Sequence, residues 1–213
     1  SDMVVSGGVN IYPAEAEQVL IDHPAVLDVA CIGVPNKDMG EELKALVIPA
    51  PDIDKPDSEV LIAWCRERLS HYKCPRSLDY VDDMEDSVKI IGASNTVIND
   101  GRSLKAYNTD SYAAMAYLDL YDNRKSLYII GNGGYAKAVK WAASGCRFDV
   151  NNITRDNWDE LFDIKDSIIY NCTPLDIKGL IDTSNDFIDC RVTTQTGIDL
   201  ATLQASQQFK LYT

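Results

Sequence analysis

Histidine is nearly missing from this sequence: there are two, and neither stands beside a cysteine at metal-ligand spacing. No two of the six cysteines (Cys31, Cys65, Cys74, Cys146, Cys172, Cys190) are spaced C-x-x-C. Zinc-ribbon and dithiol redox motifs are therefore excluded, no metal site is expected, and the thiols read as buried and reduced. No apolar run approaches the ~20 residues that span a bilayer. The opening SDMVVSGGVN has neither the basic start nor the apolar stretch of a signal peptide, so a cytoplasmic location is expected. Positive charge is scarce as well, with 20 Lys and Arg against 33 Asp and Glu and a net charge of −13. Such a chain is repelled by phosphate backbones. Neither nucleic acid nor a membrane is an expected partner, a small molecule is, and the oligomeric state is left open.

What is present suits a globular chain: 213 residues, 46% hydrophobic and 25% charged, enough for one large domain or two small ones. The charge is uneven. Residues 1–86 carry 18 acids against 7 bases, and residues 87–213 carry 15 against 13. The seam falls in Asp82-Asp83-Met84-Glu85-Asp86. Before it, Pro13 opens a helix over Ala14–Asp22, which His23-Pro24 ends. Strands are predicted at Val26–Val34, Leu43–Ile48 and Ser77–Val81, with a helix over Glu59–Leu69 that buries Val60, Leu61, Trp64 and Leu69.

Beyond the seam the pattern alternates. Lys89–Ile98 and Leu104–Tyr107 read as strands flanking an Asn99-Asp100-Gly101 turn. A helix over Thr109–Leu120 carries Tyr112, Met115, Ala116 and Leu120. Strand Ser126–Ile130, helix Tyr135–Ala143, strand Arg147–Ile153, a helix near Trp158–Phe162, strand Ser167–Asn171 and a helix over Ile198–Leu211 follow; the last packs by Leu200, Leu203, Phe209 and Leu211. Such alternation is the signature of a parallel sheet. The fold class expected is α/β, a small α/β domain over residues 1–85 followed by a Rossmann-like parallel-sheet domain over residues 86–213.

Gly131-Asn132-Gly133-Gly134-Tyr135-Ala136-Lys137 joins a predicted strand to a predicted helix. Glycines there let backbone amides approach a pyrophosphate at the helix N-terminus, and Ala136 fills the third small position. A plain strand-to-helix turn is the alternative. The next strand ends Asn151-Asn152-Ile153-Thr154-Arg155, with Arg155 where NADP sites supply a cation and no acid where NAD sites place one, so NADP is favoured over NAD. A solvated surface cation is the other reading of Arg155.

Gly92-Ala93-Ser94-Asn95-Thr96, Tyr107-Asn108-Thr109-Asp110, the glycine turn, Asn152-Ile153-Thr154-Arg155, Asn171-Cys172-Thr173-Pro174 and Thr196–Thr213 occur in that order. Together they resemble shikimate dehydrogenase, from the end of its substrate domain (residues 86–110) through its NADP-binding domain. The resemblance implies hydride transfer between NADP and shikimate, with 3-dehydroshikimate as the ketone. It assigns Asn95, Asp110 and Gln204 to substrate hydroxyls, and Asp110 to partnering a catalytic lysine. Gly131, Asn132, Gly133, Gly134, Tyr135, Asn152, Thr154, Arg155 and Thr173 become the cofactor contacts. The family's catalytic lysine and its Ser-rich carboxylate turn are not in this sequence; Lys89 and Lys105 stand in neither motif.

Asp2 through Glu15 (DMVVSGGVNIYPAE), His23-Pro24-Ala25-Val26, Ile32-Gly33-Val34-Pro35, Gly40-Glu41 and Tyr72-Lys73-Cys74-Pro75-Arg76 resemble a different family, the small C-terminal domain of adenylate-forming acyl- or aryl-CoA ligases. The resemblance implies that Asp2 is the hinge between adenylation and thioester formation, and that Gly7 and Gly8 line the pantetheine passage. Lys73 is either a contact to a CoA phosphate or a solvated loop lysine. The adenylation lysine, due after Met84 in a Thr-Gly-Lys context, is replaced by Glu85-Asp86-Ser87-Val88-Lys89.

Joined, the two resemblances give a chimera-like chain: an NADP-dependent, catalytically incomplete oxidoreductase module behind a ligase lid. The alternatives are a non-catalytic scaffold, or a partial acyl- or aryl-CoA ligase that uses CoA and ATP only with an adenylating domain in trans.

Overall fold

Two adjacent glycines set the first piece of structure. Gly7 and Gly8 have φ of +58° and +80°, the left-handed pair that a type I′ turn demands. They join β1 (Val4–Ser6) to β2 (Val9–Ile11), an antiparallel hairpin in the register Val4↔Ile11 and Ser6↔Val9. The computed structural model describes residues 3–212, in two units. The first runs to Met84 and takes in Asn99–Ala106; the second holds Glu85–Ile98 and the chain from Tyr107 onward.

In the first unit α1 (Pro13–Ile21) buries Ala16 and Leu20, with Pro13 in its first turn, where a missing N–H loses no helical bond. Strands β3 (Val26–Asn36) and β4 (Gly40–Pro49) pair antiparallel over their whole length. Helix α2 (Ser58–Arg66) follows, then β5 (Ser77–Tyr80), which lies parallel to β4. The sheet order is β2-β1-β4-β3, with β5 on β4. Val4, Ile11, Leu20, Leu43, Ala45, Val47 and Leu61 form one core between sheet and helices. The Trp64 indole N–H donates to the Val19 carbonyl at 2.9 Å, fixing α2 to α1. Val60 departs from the expected stripe. It is 50% exposed, and the buried positions of α2 are Leu61, Ile62 and Cys65. A final strand, β6 (Asp83–Met84), pairs in parallel with Lys105 and Ala106.

The second unit opens on α3 (Asp86–Ile91), where a strand was expected from Lys89. Val88 and Ile91 are buried one turn apart, and Gly92, at φ +69°, ends the helix in the left-handed conformation. The strand starts later, as β7 (Thr96–Asn99); β8 (Leu104–Tyr107), which falls in the first unit up to Ala106, follows, and the second unit resumes with α4 (Thr109–Leu118). Asn108 caps α4 by accepting from the Ser111 N–H at 3.0 Å. Then come β9 (Leu127–Ile130), α5 (Gly134–Gly145), β10 (Val150–Ile153), a 3₁₀ segment at Arg155–Asp163 in place of the expected α-helix, β11 (Ile168–Asn171), β12 (Asp186–Asp189) and α6 (Gln195–Tyr212).

All four strands β10-β9-β11-β12 are parallel. Side chains alternate between two buried faces. Leu127, Ile129, Ile168, Tyr170 and Ile188 pack with α4, α5 and Leu200 of α6, while Ile130, Ile153 and Ile169 pack with Leu161 and Ile177. Apolar runs without a polar alternate are what burial on both faces requires. The expected α/β class is observed as a mixed-sheet domain and this parallel-sheet unit; the finer Rossmann-like assignment goes beyond what is observed. Along α6 the expected packing residues Leu203 and Phe209 are 38% and 68% exposed, and the buried positions are Gly197 and Leu200. A Cβ on Gly197 would lie 1.9 Å from the Arg191 carbonyl oxygen, so helix and preceding turn meet backbone to backbone. Among the described residues no helix is long and apolar enough to cross a membrane.

Candidate functional site

Two places collect the residues singled out in the sequence. In the first unit the Gly7-Gly8 turn presents bare backbone. A Cβ on Gly8 would meet nothing within 4 Å, whereas one on Gly7 would strike the Met39 methyl at 2.5 Å. The Gly7 N–H donates to the Met39 carbonyl at 2.8 Å, which ties the hairpin tip to the β3–β4 connection. Val5 and Val9 beside the turn are 42% and 45% exposed. Lys73 is paired with the Glu15 carboxylate, and that hydrogen bond raises its pKa above the usual lysine value. Its ammonium is therefore already engaged by α1. Asp2, the expected hinge, lies outside the described residues.

In the second unit, Asn95, Asp110 and Gln204 are brought together, but onto one another. The Asn95 side-chain oxygen accepts from the Thr109 N–H at 2.9 Å and from the Thr96 hydroxyl at 3.0 Å, and its side chain also hydrogen-bonds Asp110. Gln204 donates to the Thr109 hydroxyl at 2.8 Å, and Gln208 does the same to Thr96. Burial raises the Asp110 carboxyl above its ordinary pKa, with the Asn95 bond pulling the other way. A cavity of about 160 Å³ lies against Asp110, Tyr135, Cys190 and Gln204. The Tyr135 hydroxyl is within 3.0 Å of the Tyr170 hydroxyl, and burial raises its pKa.

The glycine turn sits between β9 and α5 as expected. Gly131, at φ +111°, lies 3.1 Å, by its would-be Cβ, from the Thr173 methyl. Gly133 precedes the helix in extended backbone, and a Cβ on Gly134 would touch Ala93 at 3.3 Å. The neighbouring polar side chains serve the backbone. Asn152 donates to the carbonyls of Ile129 and Gly131 at 2.7 and 2.8 Å, and Lys140 donates to the side-chain oxygens of Asn132 and Asn152. The Thr154 hydroxyl bonds Asn157, and that of Thr173 donates to Asn171 at 2.8 Å. Sequence reading misses Lys140 and Asn157, since nothing in their spacing marks them. A cavity of about 650 Å³ opens beside the turn, with Arg155 and Trp158 on its wall. Lys89 and Lys105, neither of which stands in a motif, pair with Asp86 and Asp83. Among the described residues no group of three or more His, Cys, Asp and Glu could hold a metal ion.

Known proteins match the first unit. The family model for the AMP-binding enzyme C-terminal domain matches residues 15–88. Feruloyl-CoA synthase of an Amycolatopsis species is 49% identical over 81 residues, 38% of this chain and 16% of the relative. The 2-succinylbenzoate–CoA ligase of Bacillus mycoides is 36% identical over 84 residues, 39% of this chain and 17% of the relative. Among solved structures, a Mycobacterium tuberculosis fatty acyl CoA synthetase is 38% identical over 38% of this chain and 16% of its own, with a TM-score of 0.36. The chain thus spans about one sixth of the length of the curated relatives it matches.

These findings correct the shikimate dehydrogenase expectation. The relatives are named for CoA-ligase activities, nothing among them indicates a dehydrogenase segment, and NADP is left without support. The physical reason lies in the second unit. Short motifs that suggest a ligand-binding constellation are engaged elsewhere: Asn95, Gln204, Asn152 and Thr173 satisfy partners within the fold. Short polar motifs at strand ends are as useful for closing turns as for holding a substrate. Over residues 15–88 the chain is similar to the C-terminal domain that AMP-binding acyl- and aryl-CoA ligases carry.

Proposed function

We propose that residues 15–88 act as the lid of an acyl- or aryl-CoA ligase, closing on an adenylating domain. The observation that carries this reading is the match over residues 15–88 to the AMP-binding enzyme C-terminal domain, at up to 49% identity to feruloyl-CoA synthase. The hairpin tip supports it: Gly8 adds no side chain to an open turn, as a passage for a thin thiol arm needs.

The reading is confined to the thioester half of the ligase reaction. In that half the CoA thiol attacks the acyl carbonyl of an acyl adenylate, the carbon–sulfur bond forms, and AMP leaves. The resemblance places the adenylation lysine after Met84, where this chain instead enters α3, and Lys89 is held by Asp86 one turn away. The acyl group is selected by the adenylating domain, so this chain accepts whichever adenylate its partner holds.

The test supplies the chain to the Amycolatopsis feruloyl-CoA synthase stripped of its own C-terminal domain. With pre-formed feruloyl adenylate and CoA, chromatography should detect feruloyl-CoA well above the rate of either component alone. ATP–pyrophosphate exchange should not rise on addition of the chain. Absence of any rise in thioester formation at saturating chain would refute the proposal.

A further inference from the structure

Strands β11 and β12 are parallel, and the register Tyr170↔Ile188 and Asn171↔Asp189 runs to their last residues. It continues one step further, because the Cys190 N–H donates to the Asn171 carbonyl at 3.1 Å while the Cys172 N–H donates to Ile130 on the other side. Cys172 and Cys190 are therefore neighbours across the ladder. They share a face: the Asn171 side chain reaches Asp189 on one side of the sheet, and Tyr170 and Ile188 belong to the core on the other, with Cys172 packed against it. Adjacent strands lie about 4.8 Å apart, and disulfides accept Cα separations of about 4.4–6.8 Å. Both thiols are free and half-buried. Cys190 is among the residues lining the small cavity beside Asp110, and Cys172 among those lining the larger one beside the glycine turn.

We propose that Cys172 and Cys190 are an oxidation site of this protein, closed to an intramolecular disulfide by a hydroperoxide. In the first step one thiolate, Cys190, attacks the peroxide oxygen; the sulfur becomes a sulfenic acid and the peroxide leaves as water or alcohol. In the second the Cys172 sulfur displaces that hydroxyl, which takes up the Cys172 thiol proton and leaves as water, and the S–S bond forms. Two thiols lose two electrons and two protons, and one peroxide takes them up. Burial pushes the Cys190 thiol up to about 11 and that of Cys172 well above its ordinary value. The first step is accordingly slow at neutral pH, and the second is fast because the partner sulfur is already in place.

The bond would close a loop of nineteen residues and tie the Thr173–Leu175 wall of the larger cavity to the turn that enters α6. Trypsin separates the two cysteines, leaving Cys172 in residues 166–178 and Cys190 in residues 179–191. The intact chain, treated with millimolar hydrogen peroxide, alkylated and digested without reductant, should yield these peptides joined and lighter by two hydrogens than their sum. The joined species should vanish with dithiothreitol, be absent from Cys172→Ser and Cys190→Ser, and persist in Cys146→Ser. Oxidation should raise the melting midpoint of the second unit by about 5–10 °C. Recovery of both peptides unjoined after peroxide has been consumed, or of either cysteine as sulfinic acid alone or bridged to another cysteine, would overturn the proposal. That digestion uses the unaltered chain, so its outcome does not depend on the variants folding.

Discussion

Gly7→Ala and Gly8→Ala change neighbouring residues of one turn by the same methyl group, yet the structure sets them apart. Both positions have positive φ, and a left-handed L-residue costs about 1–2 kcal/mol. At Gly8 that strain is the whole effect, since the added carbon meets open space. At Gly7 it would sit 2.5 Å from the Met39 methyl and 3.2 Å from its sulfur, so Met39 must also leave its rotamer, adding about 1 kcal/mol. The unit is small enough that each kcal/mol moves a melting midpoint by about 4–8 °C. Gly8→Ala should lower the stability of the first unit by about 1–2 kcal/mol and Gly7→Ala by about 2–3 kcal/mol. The assay is denaturant-dependent hydrogen exchange of the β3–β4 amides, which report on this unit alone. Met39→Ala should then couple to Gly7→Ala by about 0.5 kcal/mol or more and add independently to Gly8→Ala. Equal losses at the two glycines, or no coupling to Met39, would refute the account of the turn.

Other consequences are as definite. Tyr135→Phe leaves the fully buried Tyr170 hydroxyl without its partner and should cost about 1–3 kcal/mol in urea unfolding, while Tyr135→Phe with Tyr170→Phe should cost less than the two singles summed. Because burial raises the Asp110 carboxyl, the folded unit holds its proton to higher pH than the unfolded chain does. The stability Asp110 contributes is full below the ordinary carboxylate pKa and is lost as pH rises through the raised value, so Asp110→Asn should flatten the fall in urea midpoint across that window. The Cys65 thiol is pushed up to about 11 by burial, and Cys31 is raised further still. Ellman's reagent at pH 7.5 should therefore leave Cys31, Cys65 and Cys74 unlabelled until denaturant is added, and prompt labelling would contradict their placement in the core.

Strands such as β3 and β4 can be read directly, because β-branched alternation is a property of the chain alone. The β1–β2 hairpin cannot: strands of three residues carry no period, and the Gly-Gly pair draws attention as a ligand passage before it does as a turn. At α3 the run Val88 to Ile91 suits either a strand or a helix, and the left-handed cap at Gly92 decides for the helix. The site shows the same limit more sharply. Gly131 to Gly134 does fall between strand and helix, but which acceptor the Asn152 amide chooses depends on carbonyls in and just after β9, twenty-odd residues earlier in the chain. Residue type announces hydrogen-bonding capacity; only the assembled fold allots it. The ligase-like unit is legible because its resemblance runs in order through nearly every element from Asp2 to Arg76, whereas the dehydrogenase resemblance rests on short segments separated by unlike sequence.

The bare contact at Gly197 bears on how α6 can move. With hydrogen as the only substituent that fits against the Arg191 carbonyl, the first turn of the helix is geared to the chain leaving β12, whose buried Asp189 in turn grips the Arg191 guanidinium. A pull on the far end of α6 would thus be delivered to the edge of the parallel sheet rather than dissipated in a slack joint, and a single methyl at position 197 would throw that gear out of mesh.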